Sequence, residues 1–263
     1  MTKTIAFANL KGGTGKTTLC VNIAGYLTKI NEAKVLVIDF DPQGNATSGL
    51  GIDSSSLEYS IYNSILKDCN KPEYVPITKI ILQTEVDNLH LAPSEINLAA
   101  LTMLLQKVPD RVSVLHRIIE PIKHYYDYIL IDSPSDSGLF LLNTLHAADQ
   151  LVVPLDSSIF ALEALENLKI YCQDIEEMND HVISEITIIL NRYTKSRTKK
   201  ANKLSASEAV EAQIKAMSHQ LFKVPESVLV YQAQYEGLPI SHHAPPSQLG
   251  KAYTAIANYL ATN

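Results

Sequence analysis

Runs of apolar residues bounded by turn formers alternate along the chain with stretches whose apolar positions recur at helical spacing. Short unbroken runs, such as Thr4-Ile5-Ala6-Phe7-Ala8-Asn9 and Tyr128-Ile129-Leu130-Ile131-Asp132, read as strands buried on both faces. The pattern predicts strands over residues 4–9, 34–39, 88–92, 128–132, 150–154 and 186–191. Between them it predicts helices over 15–29, 96–106, 111–124, 138–146, 159–177 and 206–220. A last helix is expected over 248–260, entered through Ala244-Pro245-Pro246-Ser247. Strands that alternate with helices form right-handed β-α-β units around a mostly parallel, twisted sheet. The expected fold class is therefore α/β, a three-layer α/β/α sandwich in a single domain, 1–263, with ligands at the carboxyl ends of the strands. Residues 51–84 stand apart, because their short apolar groups, with Pro72 and Pro76, suggest short helices and loops without a clear period.

A chain of 263 residues with 46% hydrophobic content can bury a large core. Its formal charge of −6 excludes a surface that binds polyanions throughout and leaves room for a local basic patch only. Cys20, Cys69 and Cys172 are far apart and odd in number, which suits a reducing cytosol and gives neither a disulfide framework nor a Cys-x-x-Cys metal pair. They are expected as small buried or half-buried hydrophobes. No signal-peptide core follows the N-terminus, and no apolar run approaches the ~20 residues of a membrane span, so a soluble cytoplasmic protein is expected.

The first strand runs into Lys11-Gly12-Gly13-Thr14-Gly15-Lys16-Thr17-Thr18 and then directly into a helix. Glycines let backbone N–H groups turn inward around phosphate oxygens, and a helix N-terminus adds its partial positive charge. Lys16 is placed to reach the β- and γ-phosphates, and Thr17 to ligate Mg2+ through its hydroxyl. The first glycine of the simple phosphate-loop consensus would fall at Leu10, and a lysine, Lys11, follows it. This loop resembles the deviant Walker A box of the ParA/MinD family of ATPases, which implies the P-loop NTPase fold, ATP and Mg2+. The resemblance further implies that Lys11 reaches across a dimer interface to the nucleotide of the other subunit; a solvated loop lysine is the alternative. On this reading Lys11, Gly12, Gly13, Thr14, Gly15, Lys16, Thr17 and Thr18 hold the nucleotide, with Lys11 and Lys16 acting in catalysis.

The second strand ends in Ile38-Asp39-Phe40-Asp41-Pro42-Gln43-Gly44-Asn45, similar to a second box of the family. Carboxylates spaced i, i+2 at a strand end point the same way, here into the crevice beside the loop. The resemblance implies that Asp41 positions the attacking water and that Asp39 supports the Mg2+ shell; the bland alternative is a pair of turn or capping aspartates. Asp132 ends a hydrophobic strand in the Walker B manner and is expected to hold Mg2+ through water. The segment Ala147–Pro154 (Ala147-Ala148-Asp149-Gln150-Leu151-Val152-Val153-Pro154) also matches the family, whereas Ser133-Pro134-Ser135-Asp136 departs from its usual Cys-Pro-Pro and puts local partner contacts in question.

The strand over 186–191 ends in Asn191-Arg192, and the resemblance assigns such an asparagine to the adenine edge, which its amide suits as both donor and acceptor. Otherwise Asn191 is a turn residue closing a strand. Arg192 and Pro225, the latter within Lys223-Val224-Pro225, complete the expected nucleotide set. Ala233-Gln234-Tyr235-Glu236-Gly237-Leu238-Pro239-Ile240 and Gly250-Lys251-Ala252-Tyr253 fit the family too, so the resemblance covers nearly the whole chain. Between lies a basic stretch from which Arg192, Lys195, Arg197, Lys199, Lys200 and Lys203 are candidates for duplex DNA. A solvated charged loop is the alternative. His242 and His243 read as loop residues, and Tyr125, Tyr126 and Tyr128 as core.

The resemblance implies a slow, partner-stimulated ATP hydrolase of the partition branch: an ATP-sandwich homodimer that binds non-specific nucleoid DNA and positions cargo through a ParB-like or other adaptor. A plasmid or chromosome is the expected cargo, with a protein compartment such as a carboxysome as the alternative. The chain starts almost at its phosphate loop, which is expected to leave it without an operator-reading extension. A MinD-like membrane switch needs a cationic amphipathic C-terminal helix, and here that helix carries only Lys251. An iron–sulfur reductase branch would need paired cysteines near Asp132, and none is there. A scaffold that binds nucleotide without turnover stays open.

Overall fold

The computed structural model describes residues 2–158, 160–179, 181–194, 206–216 and 220–263. Among the described residues, eight strands form one sheet: β1 (Lys3–Phe7), β2 (Val35–Asp39), β3 (Leu82–Gln83), β4 (Leu89–Ala92), β5 (Tyr128–Asp132), β6 (Gln150–Leu155), β7 (Glu185–Tyr193) and β8 (Gln220–Pro225). Their order is β3-β4-β2-β5-β1-β6-β7-β8, parallel throughout except that the two-residue β3 runs antiparallel to β4.

Burial on both faces explains the unbroken apolar strands. Alternate residues of β1 and β2 go to opposite sides: Ile5, Phe7, Val35 and Val37 pack with α1 (Lys16–Leu27) and α12 (Gln248–Thr262), while Ala6 and Leu36 face away from them. The opposite side is covered in two parts. One contains α3 (Ile61–Ile65), α4 (Ile77–Ile80) and α6 (Val114–Ile119); the other contains α7 (Leu139–Ala147), α8 (Phe160–Asn179) and α9 (Ala206–Ala216). This is the expected three-layer arrangement. The apolar face of α12, with Leu249, Tyr253, Ile256 and Leu260, is buried in the α1 layer. Among the described residues no helix is long and apolar enough to cross a membrane.

Most expected elements hold within a few residues, and the differences have local causes. The helix expected over 96–106 is a 3-10 stretch, Ile96–Ala100, followed by the short α5 (Leu101–Leu105). The helix expected over 111–124 is α6 followed by a 3-10 turn, Glu120–Tyr125, because Pro121 has no N–H for the helical ladder. Of the helix expected over 206–220, Ala206–Ala216 is described as α9, and residue 220 belongs instead to β8, an edge strand closing on Pro225 that the sequence reading missed. Also missed were α2 (Asn45–Gly49), α10 (Leu229–Glu236) and α11 (Ile240–His243); His242 and His243 therefore end a short helix and are not loop residues. Tyr125 is 58% exposed, contrary to the core placement expected for it, whereas Tyr128 is buried. Cys20 is buried, and Cys69 and Cys172 are half-buried.

The α1 layer is packed closely against the C-terminal segment. A Cβ on Gly25 would stand 2.5 Å from both Pro239 Cγ and Ser241 Oγ. Gly25→Ala is therefore expected to destabilise the protein by about 1–3 kcal/mol, read as a lower midpoint in thermal or urea unfolding.

Candidate functional site

The phosphate loop leaves β1 near the middle of the sheet. Asn9 anchors it, donating from Nδ2 to Pro154 O at 2.6 Å and accepting at Oδ1 from the Lys11 amide at 2.8 Å. Gly13 and Gly15 hold φ angles of +74° and +96°, a region that favours glycine. At Gly15 a Cβ would also collide with the Asn191 side chain. Helix α1 begins at Lys16 without a side-chain cap and without an acidic residue in its first turn, so its leading amides and dipole are open to an anion. The loop borders a cleft of about 410 Å³ lined by Gly13, Gly15, Lys16, Thr17, Asp41 and Ser135 among others.

Lys16 is only 6% exposed. Burial lowers its pKa, opposed by the charges of Asp132, then Asp41 and Asp136, and its Nζ donates to Ser135 Oγ. Lys11 points elsewhere. Its Nζ donates to Asp156 Oδ2 at 2.5 Å and to Ser158 Oγ at 3.1 Å, which ties it to the loop after β6 in its own chain. Burial works to raise the Asp156 pKa, but the hydrogen bonds from Lys11 and Ser158 prevail and hold it low.

Register pairs Asp39 directly with Asp132 at the ends of β2 and β5, and both carboxylates are fully buried. Asp39 Oδ2 accepts from the Thr47 amide and hydroxyl, both at 2.8 Å, and Oδ1 accepts from the Asp41 amide at 3.2 Å. Burial pushes the Asp39 pKa up to about 6, against these hydrogen bonds and with Asp41 adding to the rise. The Asp132 carboxyl is pushed well above the usual range, first by burial and then by Asp39. The Thr17 hydroxyl faces Asp132 and lowers its pKa, yet neither carboxylate oxygen makes a well-formed hydrogen bond among the described residues.

Buried carboxylate oxygens without partners, beside the hydroxyl that opens α1, form an all-oxygen donor set suited to a hard cation such as Mg2+. The residues present therefore fit the ion: Thr17 and Asp132 are placed to hold it, and Asp39, already engaged by Thr47, braces them from behind. Asp41 lines the cleft and accepts from the Gln43 amide at 2.9 Å.

A second cleft of about 100 Å³ adjoins the first and is lined by Thr18, Asn191, Arg192, Pro225, Tyr231 and Gln234 among others. The structure gives Asn191 a bracing role that its sequence context did not indicate. Its Nδ2 donates to Thr14 O at 2.8 Å, and its Oδ1 accepts from the Arg192 amide at 3.0 Å. Arg192 borders both clefts with a φ of +52°. Of the proposed DNA contacts only Arg192 lies within the described residues; Lys195, Arg197, Lys199, Lys200 and Lys203 fall outside them. Sequence reasoning missed Thr47, Asp156, Tyr231 and Gln234, whose Nε2 donates to Thr18 Oγ1 at 3.4 Å. It also gave no role to Ser135, although that residue sits in the segment marked as unusual.

A protein-family model described as an AAA domain matches residues 2–188. The chain is 34% identical over 267 aligned residues to the sporulation initiation inhibitor protein Soj of Bacillus subtilis, covering 100% of both chains. It is 33% identical over 259 residues to the chromosome-partitioning ATPase Soj of Treponema pallidum, covering 98% of this chain and 96% of that one. Among solved structures, the ATP complex of a Cyanothece McdA variant has a TM-score of 0.83 at 27% identity, covering 98% of this chain and 96% of that one.

The paired carboxylates make a pH prediction. A folded-state carboxyl pKa raised to about 6 stabilises the protein at low pH, and that stability is lost as pH rises through about 6. In EDTA the melting temperature is therefore expected to fall between pH 4.5 and 7.5, as ionisation of Asp39 places a negative charge in the buried pair. Asp39→Asn, which removes the titrating carboxyl, is expected to flatten this dependence of the midpoint on pH.

Proposed function

Because the chain belongs to the ParA/MinD family of P-loop ATPases, we propose that it is a partition or positioning ATPase whose ATP-bound dimer rides on non-specific duplex DNA. The observation that carries this reading is the loop holding two lysines, Lys11 and Lys16, beside the buried Asp39–Asp132 pair. In-line attack on a γ-phosphate requires orientation and charge neutralisation more than covalent chemistry. Lys16 supplies positive charge at the β- and γ-phosphates. Asp41, in the wall of the cleft, orients the attacking water. When bound beside Thr17 and Asp132, Mg2+ neutralises phosphate charge.

Lys11 lies in its own chain's Asp156 contact, so its service to a second subunit requires that ion pair to break. Closure of a dimer around two nucleotides supplies a reason for the exchange, since a phosphate offers Lys11 more negative charge than one carboxylate. Adenine is expected to lie in the smaller cleft, bordered by Arg192 and Pro225. Hydrolysis is slow until an adaptor protein stimulates it, and the cargo is a plasmid or chromosome. The name of the Treponema relative, a chromosome-partitioning ATPase, supports that choice. The burial of the apolar face of α12 against α1 argues against a MinD-like use of the last helix at a membrane.

Two outcomes are expected. Asp41→Ala retains ATP-dependent dimerisation in light scattering but loses hydrolysis by on the order of 10²-fold or more, whereas Lys11→Ala fails to dimerise; unchanged turnover in the first variant would remove Asp41 from the chemistry. Binding to random-sequence duplex DNA, measured with ATP, with ADP and without nucleotide, is expected to require ATP and to weaken steeply with salt. Neutralising Lys199, Lys200 and Lys203 together should weaken it and flatten the salt slope by about one per lysine that contacts phosphate. Equal binding in all three nucleotide conditions would sink the switch.

A further inference from the structure

The two clefts share Thr18, Arg192 and Gln234, so a ligand whose phosphates lie on the loop can run on into the smaller one. On the side of β8 and α10 that smaller cleft is lined by Val224, Pro225, Val230 and Tyr231. Val224 is buried, whereas Tyr231 is 66% exposed. Among the described residues the Tyr231 ring meets no other ring and its hydroxyl makes no hydrogen bond. The backbone around it is ordered, since the Tyr231 amide donates to Val228 O at 3.1 Å in the first turn of α10. The cleft wall therefore carries a fixed, flat, apolar face that water wets and nothing in the chain covers. Such a face gains most from a second flat ring laid against it.

The resemblance assigns the adenine edge to Asn191, but the structure engages that amide at both ends within its own chain. Its Nδ2 donates to Thr14 O and its Oδ1 accepts from the Arg192 amide. A base that enters this cleft thus meets an amide already at work as a brace and a ring that is not at work at all. Tyr235, one turn further along α10, is 94% exposed and lines neither cleft, so exposure alone does not single out Tyr231.

We propose that Tyr231 is the base-stacking residue of the nucleotide site, and that the purine is held there by its face more than it is read along its edge. The inference rests on the reading of the smaller cleft as the adenine site and changes what recognises the base in it. Stacking on an aromatic side chain tolerates changes at the base edge, because every base keeps its π-face. The ligand class is accordingly a purine nucleotide, with the edge left largely unread.

The test is isothermal titration calorimetry of the full chain in Mg2+ with three probes: ADP, etheno-ADP and inorganic pyrophosphate. Tyr231→Leu is expected to weaken ADP about tenfold and to leave pyrophosphate, which has no base, within about twofold of the unaltered protein. Tyr231→Phe, which keeps the ring, and Tyr235→Leu, outside the cleft, are each expected to bind ADP within about twofold of it. Etheno-ADP blocks the adenine edge and leaves the face intact, so the unaltered protein is expected to bind it within about fivefold of ADP. Unchanged ADP affinity in Tyr231→Leu, an equal loss of ADP and pyrophosphate, or a larger loss for etheno-ADP would each overturn the proposal. Lys16→Ala that binds pyrophosphate as tightly as the unaltered protein would instead overturn the nucleotide-site reading itself.

Discussion

The site is organised by the cost of placing two carboxylates side by side inside a sheet. Asp39 and Asp132 face each other in register across β2 and β5, away from water. Ionising both in that setting is unfavourable unless positive charge or hydrogen-bond donors compensate. The surrounding residues supply both. Thr47 and the Asp41 amide satisfy Asp39, Lys16 places an ammonium nearby, and the Thr17 hydroxyl faces Asp132. What is left over is the buried Asp132 carboxyl, whose oxygens lack well-formed hydrogen bonds among the described residues and whose ionised form a hard cation would favour. The arrangement makes binding of a metal–nucleotide complex a relief of internal repulsion as well as a set of new contacts.

Much of this was legible in the sequence because it depends on short-range spacing. A strand that ends in a glycine-rich loop and passes straight into a helix fixes Gly13, Gly15, Lys16 and Thr17 relative to one another, whatever the rest of the chain does. The carboxylates at 39, 41 and 132 were legible for a related reason, since strand ends in a parallel sheet converge on one edge. What could not be read were contacts between segments far apart in the chain that carry no periodic signature. The Lys11–Asp156 pair joins the loops after the neighbouring strands β1 and β6, 145 residues apart in sequence, and nothing at Asp156 sets it apart from an ordinary loop aspartate. The use of Asn191 to hold Thr14 O required knowing that β7 passes behind the loop. β8 was missed because an edge strand of mixed polarity, closing on proline, lacks the unbroken apolar run of the central strands.

The two lysines of the loop thus differ in kind. Lys16 is buried in the chain's own site, whereas Lys11 is half-exposed and anchored to a flanking loop. A half-exposed ion pair contributes little to stability, which lets it break without penalising the fold. That difference suits one lysine to chemistry within the subunit and the other to contact beyond it.

The strand order has a further consequence. β1 lies fifth of eight, with three strands on one side and four on the other, so the phosphate loop springs from the most deeply seated part of the sheet. Local opening begins where backbone hydrogen bonds are exposed, at sheet edges and at termini. Amide protons of β1 and β5 should therefore be among the last to exchange with solvent, and those of β3 and β8 among the first. Lineages could then vary the rim, and with it what the protein touches, while the interior strands keep the machinery in place.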